Sequence, residues 1–293
     1  MVRSRRLWTA LFLTPPLAIY TAIVVAPLLV SFYYSITDWN GFNITYNYVG
    51  LDNYLKIGRD PLFFGAIGNT VVWMIAAVFL PSLGGLAIAL ALNGRGWAGN
   101  IYKSLFFLPI CLSLVVIGQV WVWMYHPDWG LINTTLRGLN LGGWTRAWLA
   151  NPQTALWSVI IAWSWQQMGL AMVIFLAGLT SVPKELTEAA EIDGATYWQS
   201  LRAVVIPLLA PATVVVIALA IINSLKSFDI VYVMTQGGPF HSSDTLAMFM
   251  YNESFKKYYM GYGSAIAVVL FVISLALISF YFRQVRVMNE MYD

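Results

Sequence analysis

Apolar residues gather in six long blocks, at approximately 8–36, 66–92, 104–125, 154–179, 208–233 and 263–282, with shorter polar stretches between them. A helix that crosses a bilayer needs about 20 apolar residues, so every block is long enough to span. Only the block at 208–233 contains any Asp, Glu, Lys or Arg, namely Lys226 and Asp229. Unbroken runs of this length predict helices, because a membrane β-barrel would alternate in segments of about ten residues. The pattern predicts an all-α membrane protein with six transmembrane helices, a single domain over residues 1–293.

The first block follows Arg3, Arg5 and Arg6, as a signal peptide would. It runs far beyond the 7–15 apolar residues of an h-region and has no clear small-residue cleavage site. It reads as a retained helix, bent at Pro15-Pro16 and Pro27. Basic residues set orientation. With the N-terminus in the cytoplasm, nine lie inside (Arg3, Arg5, Arg6, Arg95, Lys103, Lys184, Arg202, Arg283, Arg286), against six outside (Lys56, Arg59, Arg137, Arg146, Lys256, Lys257). Both termini and the 180–207 loop are therefore expected in the cytoplasm.

Composition agrees: 59% of residues are hydrophobic and 10% charged, too apolar for one soluble core. The net charge of +3 is too mild for a nucleic-acid partner. Cys111, the only cysteine, lies in an apolar run and reads as a packing residue, with no disulfide framework. Gly94-Arg95-Gly96-Trp97-Ala98-Gly99 spells a dinucleotide fingerprint, but it joins two membrane blocks and lacks a βαβ unit. No phosphate-loop motif is present, so ATP is not bound that way. His126 and His241 stand in separate loops without metal-ligand spacing.

The stretch Ser181–Pro211 reads SVPKELTEAAEIDGATYWQSLRAVVIPLLAP. It suggests two short helices about a hinge. Pro183 suits a first helical position, with Glu185 and Glu188 toward the positive end of the dipole. Asp193 is placed to cap a second helix, and Gly194 to turn the chain. Trp198, Leu201 and Val205 form an apolar stripe. Glu188 beside Ala189-Ala190 makes a small-sided acidic knob, shaped to enter a partner's cleft.

Glu188-Ala189-Ala190, Gly194 and Val204-Val205-Ile206-Pro207 resemble the EAA motif of bacterial ABC-importer permeases, EAA-x3-G-x9-I-x-LP. The spacing matches, with Val204 for Ile and Ile206 for Leu. Val49-Gly50-Leu51-Asp52-Asn53-Tyr54 and Phe228–Pro239 resemble the carbohydrate-uptake branch, of the maltose and glycerol-3-phosphate type, first permease subunit. The resemblance implies a type I importer permease in the bacterial inner membrane, with the EAA loop at 181–207. Its implied partners are a second permease subunit, an ATPase dimer that binds ATP and magnesium, and an extracytoplasmic solute-binding protein. This chain would itself be non-catalytic and hold no cofactor. Glu188, Ala189, Ala190, Asp193 and Gly194 would couple it to the ATPase.

Polar groups at mid-bilayer depth face a cavity or a partner helix. Trp163, Gln166 and Gln167 share a face, suited either to a sugar path or to interhelical hydrogen bonds. Asn223, Lys226 and Asp229 step around an arc, in which Lys226 and Asp229 are expected to pair or Lys226 to meet an anionic sugar derivative. Asn69 is a further lining candidate. Trp121 and Trp123 are placed to anchor at the headgroups. The competing readings are an ion-coupled secondary transporter, for which no repeat is visible, and an ABC permease for a non-sugar solute such as a phosphate ester.

Overall fold

In lipid, every backbone N–H must find its acceptor within the protein, so the long apolar blocks become helices. The computed structural model describes the backbone of residues 2–292. The side chains of residues 1–8, 10, 98 and 286–293 lie outside the described residues, and with them the orientation signal of Arg3, Arg5, Arg6 and Arg286. Four helices are long and apolar enough to cross a membrane singly: Leu11–Tyr34, Pro61–Leu92, Ala155–Thr180 and Met260–Val285. Two bent pairs, Gly99–Cys111 with Leu114–Met124 and Tyr197–Leu208 with Ala210–Leu225, bring the count to six if each is one span. Among the described residues β pairing is limited to an isolated bridge, Thr37 with Tyr48.

Proline explains most departures from straight helices. The first span runs through Pro15 and Pro16 as α-helix, contrary to the expected bend there. It widens instead into a π-turn at Thr21–Val25, immediately before Pro27, and Ala26 N–H reaches back to Thr21 C=O. The same device recurs at Leu201–Val205, ahead of Pro207. Proline lacks an N–H and crowds the carbonyl four residues back, and an extra residue in the turn makes room for its ring.

The third block is not the straight helix expected over 104–125. Pro109 sits in a 3-10 turn, Leu112 is extended, and Ser113 caps a new helix by accepting from Val116 N–H at 3.4 Å. The two halves meet at 103°. Cys111, expected to be packed, is exposed at this break. The fifth block is corrected as well: its helix stops at Leu225, and a separate short helix, Asp229–Met234, follows. Ile230 and Val231 of that short helix are fully buried, and Val233 comes close to Gly118 of the third span, where a side chain would crowd it.

The chain divides into two compact units, Met1–Pro61 with Met250–Ile273, and Leu62–Phe249 with Ser274–Asp293. In the first, the GLDNY stretch is a staple. Asn53 Nδ2 donates to the carbonyls of Ser35 and Thr37 at 2.9 and 2.8 Å, and Tyr54 OH donates to Ser35 Oγ at 2.7 Å. Asp38 accepts from the side chain and backbone of Asn47, and these donors hold its carboxyl below the ordinary value of 3.8. Gly261 N–H donates to Trp39 C=O at 2.8 Å, and a side chain at Gly261 would strike Thr37 C=O. The second unit has its core at Ala89, Leu92, Ala171, Met172, Phe175, Leu179, Leu209, Ala212 and Val216. Small residues let its helices approach closely: a Cβ on Gly85 would lie 2.5 Å from that of Ala171.

Candidate functional site

Two places bring the sequence-predicted residues together: the 181–207 loop and the middle of the fourth span. In the loop, a helix occupies Lys184–Ile192, with Pro183 at its N-cap rather than at the first helical position. Asp193 closes this helix and does not open the next, a correction to the expected cap. Gly194 N–H donates to Glu191 C=O at 3.0 Å and Ala195 N–H to Ala190 C=O at 2.9 Å, the paired bonds of a Schellman ending. That ending needs a left-handed residue, and Gly194 has φ +83°.

Thr196 is the true N-cap of the following helix, in a capping box with Gln199, whose Oε1 accepts from Thr196 N–H at 2.7 Å. The expected apolar stripe is buried only at one end. Leu201 is buried and Val205 packs on the core, while Trp198 is 74% exposed. Glu185, Glu188, Ala189, Ile192 and Tyr197 are exposed with it. The loop is therefore a capped helix with acidic, small and aromatic groups on its free surface, seated on the core through its second half.

At mid-span, the trio of the fourth helix separates. Trp163 is 2% exposed and packs edge-on against Trp73, ring centres 5.9 Å apart. Gln166 is buried and donates through Nε2 to the carbonyls of Leu112 and Pro109, at 2.8 and 3.4 Å. The Leu112 carbonyl is left open by the break in the third span, whereas that of Pro109 also accepts from Leu112 N–H at 3.1 Å. Gln167 Nε2 donates to Gln166 Oε1 at 3.1 Å. It is half-buried and borders a recess of about 20 Å³ with Pro81, Trp163, Leu170, Ala171, Ile174, Val216, Leu219 and Ala220.

The remaining candidates lie elsewhere. Asn69 is half-buried, and its Nδ2 donates to the carbonyls of Asp244, Ser242 and His241, at 2.9, 3.2 and 3.5 Å, and so ties the 235–245 loop to the second span. Lys226 and Asp229 form no ion pair, and both are exposed. The helix ends at Leu225, before both of them, so the three-residue steps from Asn223 that place them on one arc no longer apply. Asn223 is half-buried in the last turn before the break. Trp123 is 55% exposed, as an interface anchor is, whereas Trp121 turns inward against Tyr125 and Trp165.

Sequence reasoning missed the 235–245 loop as a built structure. Asp244 is 1% exposed and lies 2.6 Å from His241 Nδ1, and Ser243 Oγ donates to Gly238 C=O at 2.6 Å. Gly237, at φ +86°, leaves no room for a Cβ beside Asp244. The paired glycines of TQGGP were the available signal.

Long apolar helices, spans broken at proline and a capped helix exposed between the fourth and fifth spans define a polytopic membrane protein. The chain belongs to the family described as binding-protein-dependent transport system inner membrane component, which matches residues 84–287. It is 37% identical over 268 residues to a probable ABC transporter permease of Pyrococcus horikoshii, covering 92% of each chain. It is 32% identical over 282 residues to a probable starch degradation products transport system permease, AmyD of Thermoanaerobacterium thermosulfurigenes, covering 96% of this chain and 95% of that one. A crystal structure of a bacterial ABC transporter that imports the acidic polysaccharide alginate has the same fold, with a TM-score of 0.83 at 19% identity over 97% of this chain and 96% of that one. The chain is a membrane-spanning permease subunit of a binding-protein-dependent ABC transporter.

Proposed function

We propose that the chain, acting as a single permease domain, forms half of the path by which a sugar or sugar derivative enters the cell. It couples that path to ATP hydrolysis through the 181–207 loop. The observation that carries the coupling is the helix Lys184–Ile192, which is exposed along Glu185, Glu188 and Ala189 and closed rigidly at Gly194. Its small residues let a partner's groove approach the backbone, and the Glu188 carboxylate supplies a charged contact. The sugar class is supported by the relative named for starch degradation products and by the alginate importer that shares the fold.

In this reading the ATPase dimer, which holds ATP and magnesium, grips the loop from the cytoplasm. A second permease completes the path, and an extracytoplasmic solute-binding protein delivers the solute. The chain itself catalyses nothing and binds no cofactor. With each bent pair counted as one span, four spans precede the loop and two follow it, which supports the reading that both termini lie on the loop's side of the membrane. The capped helix moves as a body, and Leu201 and Val205 transmit its displacement to the core around Leu209 and Val216.

The test is affinity purification of the chain from its own membranes, beside a Glu188→Lys variant. An ATPase and a second permease should co-purify with the parent chain. The variant should insert normally, retain the second permease and lose the ATPase and ATP-driven uptake. Recovery of the parent chain alone and folded would overturn the reading in favour of a self-sufficient transporter.

A further inference from the structure

We infer that a groove beside the broken third span seats an acyl chain of an anionic phospholipid, whose phosphate is held by Arg95 and Lys103. The lipid comes from the leaflet on the side of the 181–207 loop.

The groove follows from the way the third span is built. A side chain at Gly169 would strike the Phe106 carbonyl, so the backbones of the third and fourth spans touch at that point. The helix Trp97–Phe107 ends just beyond it, ahead of the turn at Pro109. Tyr102, Leu105 and Phe106 of this helix line a groove of about 240 Å³ with Ile88 of the second span and Trp165 and Met168 of the fourth. Apart from the Tyr102 hydroxyl and the Trp165 indole N–H its walls are apolar, and Tyr102, Leu105, Phe106 and Trp165 are exposed.

Its depth suits a lipid chain. Ile88 stands four residues before the end of the helix Pro61–Leu92, about 6 Å along its axis, and Met168 twelve before Thr180, about 18 Å. The hydrocarbon of one leaflet is about 15 Å deep, so the groove runs from headgroup level toward the bilayer centre. With each bent pair counted as one span, the turn between the second and third spans lies on the side of the 181–207 loop.

Charge at the headgroup end points the same way. Between Asp60 and Asp128 the chain carries no acidic residue, and its lysines and arginines are Arg95 and Lys103. A Cβ on Gly99 would lie 2.7 Å from that of Arg95, which lays the arginine against the first turn of the helix. Lys103 and Phe106 follow Gly99 at i+4 and i+7, so both cations share a stripe with one wall of the groove. Among the described residues neither forms an ion pair, and Lys103 Nζ donates to Asn100 Oδ1 at 3.4 Å. Trp97, 80% exposed at the same turn, is placed as a headgroup anchor. Two cations beside an apolar slot match a phosphate above a hydrocarbon chain. An apolar helix of a partner subunit laid here would instead bury both charges uncompensated.

Photoreactive lipid tests this on the assembled transporter. The co-purified complex is placed in phosphatidylcholine nanodiscs with a small fraction of phosphatidylglycerol that carries a diazirine in mid-chain. After irradiation, label mapped by mass spectrometry should concentrate at Tyr102, Leu105, Phe106 and Trp165. A phosphatidylcholine probe with the same chain should label the groove about tenfold less, within what two cations at about 1 kcal/mol each supply. Elsewhere on the lipid-facing surface the two probes should differ by less than about twofold, a gap below 0.5 kcal/mol.

Arg95→Gln combined with Lys103→Gln should remove the headgroup preference and leave labelling of the remaining surface as it was. Equal labelling of the groove by the two probes, or a preference that survives the double substitution, would overturn the inference. So would an unlabelled groove, the result expected if a partner subunit covers it. The comparison of probes on the parent complex decides the matter even if the double variant does not assemble. Neither result touches the co-purification on which the proposed function stands.

Discussion

Gly194 holds the left-handed position that ends the exposed helix, and a β-branched side chain there carries a conformational penalty of about 1–2 kcal/mol. Gly194→Val should therefore lower ATP-driven uptake while membrane insertion stays normal, read by uptake in cells and by immunoblot of membranes. Unchanged uptake would remove the Gly194 helix ending from the proposed coupling. Asn69 is a second residue with more than a local effect, because one amide serves carbonyls in the 235–245 loop from the second span. Asn69→Leu should destabilise that loop by about 1–3 kcal/mol, the penalty for unpaired buried groups. Limited proteolysis should then cut faster between residues 236 and 243, and an unchanged digestion pattern would count against the staple. Gly194 is legible from sequence, since a glycine after a helix is a stop signal. The role of Asn69 is not, because its acceptors lie more than 170 positions away along the chain.

At the scale of elements, the straight spans were readable and the broken ones were not. A run of apolar residues reports that a segment is buried in lipid, but it does not report where the backbone leaves the helix. Pro109 breaks its helix, whereas Pro15, Pro16 and Pro81 lie inside continuous helices. The difference is tertiary: at the break in the third span Gln166 donates to the carbonyls of Leu112 and Pro109. Lys226 and Asp229 illustrate the converse. Helical counting placed them on one arc, and the end of the helix at Leu225 removed the premise. The capping box at Thr196 supports the second half of the 181–207 loop, and Thr196→Ala should cost about 1 kcal/mol. That loss should appear as a lower melting temperature of the detergent-solubilised complex, with partial loss of uptake. An unaltered melting temperature would show that the box contributes nothing to the assembled loop.

For the whole molecule, family membership and six candidate spans make topology the quantity to measure. A cysteine placed at Phe240, which is 91% exposed, should react with an impermeant maleimide added outside intact cells or spheroplasts. A cysteine at Glu188 should react only after the membrane is opened. Labelling of position 188 from outside would invert the orientation that the basic residues suggest. Both stretches that resemble the carbohydrate branch also find a physical account at this scale. GLDNY fastens the first loop through Asn53 and Tyr54, and TQGGP folds a turn tight enough to bury Asp244. Each supports a loop in its own unit, and no solute contact is needed to explain it.

The sequence by itself determined the membrane class, the location of five of the six spans to within a turn or two, and the acidic helix that carries Glu188-Ala189-Ala190. These depend on composition and short-range spacing, which a one-dimensional pattern records. Only the tertiary structure decided which spans break, that Asp193 ends a helix, that Asn69 is a staple, and that Gln167 rather than Gln166 faces the recess. Each of these depends on which donor meets which acceptor across helices distant in sequence. Inside a membrane that pairing is obligatory, because no water is present to take the place of a missing partner.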